Sequence, residues 1–172
     1  MIGERTPALA ELARRGAFAP MSCVLPAVTC SAQATMLTGS LPREHGAVGN
    51  GWFDRESGEI ALWRQSNALV SGRKLYERLA EIDSAARCAK IFWWWNMGAR
   101  VAWSITPRPF YPADGRKIVA PYSSPTAYGQ GLEERLGAFP FFDFWGPKSG
   151  LPSSRWLANA AIDRVAAGGP PV

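Results

Sequence analysis

The sequence has 172 residues, of which 47% are hydrophobic and 19% are charged, a composition that can bury a core and that excludes a disordered or low-complexity chain. The formal net charge is +5, but the lysines and arginines are scattered among acidic residues instead of forming a run, so an anionic partner is favoured only weakly. One globular domain, or a large piece of one, is the expected content.

The cysteines and the histidine limit the metal chemistry of this chain. Cys23, Cys30 and Cys88 are odd in number and lack metal-ligand spacing, so they predict neither a disulfide framework nor a thiolate zinc site. The only histidine is His45. A hydrolytic zinc site usually takes several histidine and carboxylate ligands, so we do not expect this chain to form one alone.

Targeting signals are not evident in the sequence. The first residues lack the apolar core of a secretory signal, and no stretch approaches the roughly 18 apolar residues needed to span a bilayer. The unpaired cysteines favour a reducing compartment. We therefore expect a cytoplasmic location and no membrane partner.

The first predicted helix has recognisable signals at both ends. Thr6 is a suitable N-cap and Pro7 suits the first helical position, whereas Gly16 is a stop signal. Leu9 and Leu12 would lie on one face, which should cover a sheet.

A second helix is predicted after an apolar segment. Residues 18–25 favour a short strand or an extended segment. The small and apolar residues 30–38 then predict a helix that stops at Gly39, so Thr29 would lie at its N-terminus. Residues 39–51 are rich in turn formers and predict a loop.

The middle of the chain alternates between helix and strand patterns. Residues 73–82 carry Leu75, Leu79 and Ile82 at helical spacing, and 86–94 is a buried-strand candidate. This rhythm predicts an α/β fold with a largely parallel sheet.

The last third combines a β-rich segment with a helix. Prolines divide short β-prone runs at about 100–122, which predicts a hairpin-rich insertion. A final helix is predicted from Ser153 or Ser154 to Ala167. Its predicted inward residues are Leu157, Ala161, Ile162 and Val165.

The hydroxyl of Thr29 is the strongest candidate for chemistry. At a helix N-terminus, unpaired backbone N–H groups and the positive end of the helix dipole favour an anionic group such as phosphate. A hydroxyl there is placed to attack phosphorus, but it needs activation. No base is near in sequence, so direct metal coordination is the plausible route to an alkoxide.

The residues around Thr29 resemble the nucleotide pyrophosphatase/phosphodiesterase family of the alkaline phosphatase superfamily, and the related phosphonoacetate hydrolases. The helix signals of residues 6–16 also resemble the first surface helix of that superfamily, so the similarity runs from residue 4 to 54. The motif that carries the resemblance is Thr29, Ala34-Thr35-x-x-Thr38-Gly39, Pro42-x-x-His45-Gly46 and then Asn50.

The resemblance implies a site and a reaction. It implies that Thr29 is a metal-bound nucleophile, that Asn50 donates to a non-bridging phosphoryl oxygen, and that the substrate is a small-molecule phosphoester. It also implies two divalent metal ions, with zinc as the expected metal, held mostly by residues outside this chain. No specific nucleic-acid partner is expected.

The resemblance also implies a fold and a domain organisation. The fold would be an incomplete three-layer α/β/α sandwich, with the β-rich insertion at about 100–122. Residues 1–172 would be part of a catalytic domain, with the nucleophile region at 4–54 and a possible substrate-selectivity insertion at about 93–150. In the family an aspartate ligand ends a strand upstream of the first helix and the other ligands lie in the C-terminal half, so we expect an N-terminal fragment that is inactive alone.

Each candidate residue also has a plain structural interpretation. Thr29 could be an ordinary helix start, and Asn50 between glycines an ordinary turn residue. His45 is expected to brace its loop through a hydrogen bond in preference to acting as base or ligand, and Asp54 to be a capping or solvated carboxylate. A hydrolase with Cys30 as nucleophile and His45 as base is disfavoured, because no orienting amide is identifiable.

Two alternative functions remain open at this point. One is a phosphonoacetate-hydrolase-like enzyme that hydrolyses a C–P bond. The other is a noncatalytic module that binds nucleic acid or glycan by stacking and charge, although core packing and a solvated basic face are the commoner roles of such residues. The aromatic candidates are Trp93, Trp94, Trp95, Trp103, Phe110 and Tyr111, and the basic ones are Arg73, Lys74, Arg108, Arg116 and Lys117.

Overall fold

The computed structural model describes residues 2–168 as a mixed α/β protein, which confirms the predicted class. The helices are α1 (Pro7–Arg15), α2 (Thr29–Thr38), α3 (Pro42–His45), α4 (Leu75–Ile82), α5 (Thr126–Leu136) and α6 (Leu151–Ala166). The strands are β1 (Gly51–Asp54), β2 (Glu59–Leu62), β3 (Ala89–Ile91), β4 (Trp103–Pro107) and β5 (Pro121–Ser124). Short 3₁₀ turns lie at Asn67–Leu69 and Phe141–Asp143.

The strands form two small sheets. Strands β1 and β2 are an antiparallel hairpin, whereas the second sheet has the order β3-β4-β5. In the second sheet β3 and β4 are parallel and β4 and β5 are antiparallel, so the sheet is mixed and not largely parallel as predicted. Part of the β-rich segment at 100–122 therefore belongs to the same sheet as β3.

The larger core lies where α5 and α6 cover this sheet. Ile105 of β4 is fully buried against Leu132 of α5 and against Trp156 and Ala160 of α6. Phe139 packs beside them, with its ring centroid 5.2 Å from that of Trp156. The sheet and the two helices are thus held by aromatic and aliphatic contacts worth roughly 1.5–3 kcal/mol for each large side chain buried.

Helix α5 is absent from the sequence-based prediction, and its glycines explain why. Gly129 and Gly131 lower the helix propensity of this segment by about 1 kcal/mol each relative to alanine. Gly129 is needed because a Cβ atom there would lie 2.8 Å from the Cβ of Ser123 on β5. The same residue that weakens the helical signal allows the helix to approach the sheet.

The smaller core lies beneath the N-terminal half of α2. Cys30 and Ala34 of α2 are completely buried against Ala47, Val70 and Trp95. The helix ends at Gly39, which has the left-handed φ of 69° that glycine adopts without strain. This core fixes the direction in which the α2 N-terminus points.

The predicted inward face of α1 is wrong. Leu9 and Leu12 are exposed, and no residue of that helix is buried. Of the strand or extended segment predicted at 18–25, the strand does not form in the part of the chain that the structure describes. In α4 the residues at helical spacing, Leu75, Leu79 and Ile82, are exposed, and the buried residue is Tyr76.

Helix α6 also turns a different face inward from the one predicted. Its buried residues are Ser153, Trp156 and Ala160, whereas Ile162 and Val165 are exposed. Hydrogen bonds fix this rotation, because Ser153 Oγ donates to two backbone carbonyls and Trp156 Nε1 donates to the carbonyl of Gly137 at 2.9 Å. Of the residues predicted to face inward, Leu157 is half-buried against the larger core.

Candidate active site at the N-terminus of helix α2

Thr29 is the first residue of α2, and its side chain is exposed to solvent. Val28 before it is extended, with φ −126° and ψ 162°, so the chain enters the helix abruptly at Thr29. The next residue, Cys30, turns inward and is fully buried. The hydroxyl of Thr29 therefore stands at an accessible helix tip above a packed turn.

Asn50 lies at the same helix tip. Its side-chain oxygen Oδ1 accepts a hydrogen bond of 2.9 Å from the backbone N–H of Cys30. Because the partner is a donor, the Asn50 atom that faces it must be the oxygen, and the Nδ2 amide is left to donate elsewhere. The chain thus brings residues 29 and 50, which are 21 positions apart, to one end of α2.

The tip of α2 has the features of an anion site. No acidic residue lies in its first turn. Within residues 2–168 the backbone N–H groups of Thr29 and Ser31 have no hydrogen-bond acceptor, because the first helical bond runs from Ala32 to the Val28 carbonyl. Free amides and the helix dipole both favour negative charge at this position.

Two long-range hydrogen bonds attach the first turns of α2 to the segment after β3. Trp95 Nε1 donates to the Cys30 carbonyl at 2.9 Å, and the Trp94 backbone N–H donates to Gln33 Oε1 at 2.7 Å. The Cys30 residue is therefore held on both sides, by Asn50 at its N–H and by Trp95 at its carbonyl. The sequence analysis named Trp95 only as a stacking candidate and did not predict these contacts of Gln33 and Trp95, since no local pattern signals a pairing across more than 60 residues.

His45 connects the following loop to α2. The ring is fully buried; its Nδ1 accepts a hydrogen bond of 3.1 Å from the Ala47 N–H, so Nε2 carries the proton and donates to Thr35 Oγ1 at 3.0 Å. Both nitrogens are thus used inside the fold. These contacts are those of the loop brace that the sequence favoured.

The buried ring of His45 should make stability depend on pH. Burial lowers its pKa below the usual value of 6.5, so below that pH the unfolded chain takes up a proton that the folded chain resists. The contribution of His45 to the free energy of unfolding should be constant above pH 6.5 and should decrease as the pH falls below 6.5. Urea unfolding at pH 7.5 and 5.5 measures this, with His45→Gln as the control.

The His45→Gln variant isolates the contribution of histidine titration, because His45 is the only histidine in the chain. The wild-type protein should lose more free energy of unfolding between the two pH values than His45→Gln does, at most about 1.4 kcal/mol for each pH unit. Equal losses in the two proteins would contradict the assignment.

The Cys30–His45 alternative finds no support in the structure. Burial raises the pKa of the Cys30 thiol to about 12, which keeps it protonated at neutral pH. The ring of His45 is occupied by Thr35 and Ala47. A base that is already hydrogen-bonded on both nitrogens does not activate this thiol.

Asp54 is a turn-capping carboxylate. Its Oδ1 accepts hydrogen bonds from the backbone N–H groups of Glu56 and Ser57, at 3.0 and 3.1 Å, in the turn between β1 and β2. These bonds lower the pKa of Asp54. The carboxylate fixes the hairpin, in agreement with the interpretation drawn from the sequence.

An open cavity of about 590 Å³ lies beside the β1–β2 hairpin. Thr29 and Asn50 do not line it; its link to the helix tip is Trp63, a lining residue whose backbone N–H donates to the Asn50 carbonyl at 2.8 Å. Two tryptophans in edge-to-face contact form part of its wall, with the ring centroids of Trp63 and Trp145 5.5 Å apart. Other lining residues are Trp52, Arg64, Gln65, Arg108 and Tyr111.

The aromatic and basic candidates do not form one surface. Trp94 and Trp95 are buried in the smaller core, so their faces are not available for stacking on a ligand, and the ring of Trp103 is covered by the Arg164 guanidinium at 4.1 Å. The basic side chains are mostly engaged as well. Arg73 pairs with Glu81, Lys74 with the Val70 carbonyl, Arg116 with Asp114, and Lys117 lies over Tyr111.

The described residues do not supply a metal-ligand set. Within residues 2–168 no group of three or more histidine, cysteine, aspartate or glutamate side chains is close enough to hold an ion. Thr29 is the one predicted ligand that this chain contributes. No step of a reaction can be derived through a metal from these side chains.

No helix in residues 2–168 has both the length and the apolar character that crossing a bilayer requires.

Comparisons with known proteins identify the family. No solved structure matches the chain. The sequence model of the family described as type I phosphodiesterase / nucleotide pyrophosphatase matches residues 1–171, almost the whole chain. The mixed α/β architecture agrees with an incomplete alkaline-phosphatase-like fold, and the chain belongs to the type I phosphodiesterase/nucleotide pyrophosphatase family.

Proposed function

We propose that this chain carries the nucleophile of a metal-dependent phosphoester hydrolase, with Thr29 attacking phosphorus and Asn50 donating to a phosphoryl oxygen. The family supports phosphodiesterase and pyrophosphatase chemistry in general. The observation that carries the proposal is the 2.9 Å hydrogen bond from the Cys30 N–H to Asn50 Oδ1, which gathers the hydroxyl, the free amides and the Asn50 Nδ2 at one helix tip.

The proposed reaction has two displacements. The Thr29 oxygen forms a bond to phosphorus while the bond to the leaving group breaks, and the leaving group departs with the electron pair and takes up a proton. Water then breaks the bond between phosphorus and the Thr29 oxygen, which releases the phosphate product and restores the hydroxyl. Asn50 Nδ2 and the Ser31 N–H would stabilise the charged equatorial oxygens of the transition state.

Activation of the hydroxyl requires groups beyond the described residues. Members of the family generally use divalent metal ions, and we propose two, with zinc as the expected metal, bound mainly outside residues 2–168 with Thr29 as one ligand. No base is hydrogen-bonded to Thr29 within that range, and no metal-ligand cluster occurs there. We therefore propose that residues 1–172 alone do not turn over a phosphoester. Activity should therefore be measured on the full-length protein with its metal bound.

The aromatic cavity lined by Trp63 suggests the kind of leaving group. The tryptophans in its wall suit a flat ring, and Arg108 supplies positive charge for an adjoining anionic group, whereas Arg64 pairs with Glu59 of the same lining at 3.6 Å. We propose that residues 93–150 and the β1–β2 hairpin select a phosphodiester or pyrophosphate that carries an aromatic group. A small phosphonate would leave most of this cavity empty, so no observation favours C–P bond hydrolysis.

Substitution of Asn50 tests the proposal, because two changes separate its two contacts. Asn50→Asp keeps an oxygen acceptor for the Cys30 N–H but replaces the Nδ2 donor with a negative charge that repels the phosphoryl group, so turnover of bis(p-nitrophenyl) phosphate should fall by about 10²- to 10³-fold or more while the free energy of unfolding changes little. Asn50→Ala removes both contacts and should also lose about 1–2 kcal/mol of stability.

The comparison of the two variants decides the role of Asn50. Steady-state kinetics and urea unfolding are measured on the same preparations, with metal content checked in each. Wild-type turnover by Asn50→Asp would mean that Asn50 only caps the helix, and the proposed role in phosphoryl binding would be abandoned.

A further inference from the structure

Lys90 on β3 is a buried cation. The residue is only 5% exposed, although lysine is almost never fully buried in proteins unless its ammonium is paired. In the parallel register Lys90 lies opposite Ser104 of β4, and both side chains are on the face of the sheet away from Ile105 and the larger core. The ammonium is therefore directed toward the smaller core, where it donates to the carbonyl of Trp95.

Hydrogen bonds connect this ammonium to the tip of α2. Lys90 Nζ donates to the Trp95 carbonyl, and Asn67 Nδ2 donates to the same oxygen at 3.0 Å. Trp95 Nε1 in turn donates to the Cys30 carbonyl at 2.9 Å, and Cys30 directly follows Thr29. The position of the Trp95 indole therefore depends on Lys90, and the first turn of α2 depends on that indole.

The turn between Lys90 and Trp95 has a strained backbone. Phe92 has a φ of 54°, a left-handed conformation that is rare for a bulky residue and that persists only where surrounding contacts hold it. On one side the Phe92 ring packs in the larger core, with its centroid 4.4 Å from that of Phe139. On the other side the hydrogen bond from Lys90 to Trp95 closes the turn across five positions. Lys90 thus helps to fix the direction in which the chain leaves β3.

The charge on Lys90 is sensitive to pH. Burial lowers the pKa of Lys90 from 10.5 to about 8, and this effect outweighs those of the neighbouring groups. Lys74, beside the start of α4, repels the ammonium, whereas Cys88 and Glu77 favour it, and the centroid of the Tyr76 ring lies 5.1 Å from Nζ. Loss of the proton leaves an amine that still donates, but a hydrogen bond without the charge is roughly half as strong.

We propose that Lys90 is a positioning residue for the nucleophile: its ammonium holds the Trp95 carbonyl and thereby keeps the first turn of α2, and with it the Thr29 hydroxyl, aligned for attack. The inference rests on the proposed function, since it gives Lys90 a part in the reaction of Thr29. Lys90 reaches Thr29 only through Trp95 and Cys30, so it should act on kcat and not on substrate affinity.

Three variants of the full-length, metal-loaded protein test the role of Lys90. Lys90→Met keeps most of the side-chain length but removes the ammonium, so kcat for bis(p-nitrophenyl) phosphate should fall by about ten-fold while KM changes by less than about two-fold. Lys90→Arg keeps a charge and a donor and should recover most of that loss. The control is Lys74→Met, because Lys74 is also buried but donates to the Val70 carbonyl, and its kcat should stay within about two-fold of wild type. Equal losses in the two methionine variants would overturn the proposal.

The pH profile separates positioning from packing. The ratio of kcat in Lys90→Arg to kcat in wild type should rise between pH 7 and pH 9, because the guanidinium keeps its charge while the ammonium loses it. The urea midpoint of Lys90→Met should equal or exceed that of wild type, since removal of a buried charge relieves its desolvation. A ratio that does not change with pH, or a loss of kcat that follows a loss of stability, would overturn the proposal.

The indole N–H of Trp95 gives a readout that does not depend on turnover. In full-length protein labelled with nitrogen-15 tryptophan, this signal, assigned by its loss in Trp95→Phe, should titrate near pH 8 in wild type and should not titrate in Lys90→Met. An indole signal that does not titrate, in a protein whose Thr29→Ala variant is inactive, overturns the role of Lys90 alone. Turnover by Thr29→Ala overturns the proposed function itself, whatever the indole shows.

Discussion

Replacing Thr29 with alanine should abolish turnover in the full-length metal-loaded protein, with a fall in kcat of about 10³-fold or more. The hydroxyl is exposed at the tip of α2, where a substrate can reach it, and its removal takes away the atom that forms the bond to phosphorus. The Asn50–Cys30 hydrogen bond does not involve that hydroxyl, so the helix tip should remain formed.

Thr29→Ser is the matched control for this change. It keeps the nucleophilic oxygen and loses only a methyl group, so it should retain turnover that Thr29→Ala lacks. Metal content by mass spectrometry and the free energy of unfolding by urea accompany the kinetics, because loss of metal or of fold would also stop turnover. Turnover by a folded, metal-loaded Thr29→Ala protein would reassign the nucleophile.

The local part of the site was predictable from the sequence. Helix α1 and helix α2 begin and end within one residue of their predicted bounds, because a proline at the start of one helix and a glycine after each are signals of nearby chain geometry. The placement of Thr29 at a helix N-terminus follows from the same signals. The role of Thr29 in catalysis remains a prediction.

Contacts between distant segments were not predictable in the same way. The bonds from Trp95 to Cys30 and from Trp94 to Gln33 join residues more than 60 positions apart, and nothing in either segment specifies the other. The wrong inward face of α6 has a related cause. Apolar spacing favoured Ile162 and Val165, but the hydrogen bonds of Ser153 and Trp156 set the rotation of the helix.

The contact between Trp95 and helix α2 should contribute strongly to the stability of the site. Trp95 is fully buried in the core beneath α2, its Nε1 holds the Cys30 carbonyl, and its own carbonyl accepts from Asn67 Nδ2 at 3.0 Å. Trp95→Ala should lower the free energy of unfolding by about 3–5 kcal/mol, since it leaves a large cavity and removes the indole hydrogen bond to the Cys30 carbonyl. Trp145→Ala is the control, because Trp145 is 43% exposed and should cost much less.

A second variant separates the packing of Trp95 from its hydrogen bond. Trp95→Phe keeps most of the buried ring but removes the Nε1 donor, so its loss should be about 1–3 kcal/mol, and amide exchange in the first turn of α2 should accelerate more than exchange in α6. Urea unfolding and hydrogen exchange on the three variants measure both effects. If Trp95→Phe left exchange at the Cys30 N–H unchanged, the indole would fill space beneath the helix without fixing its tip, and the orientation of Thr29 would depend on the hydrogen bonds of Asn50 and Gln33.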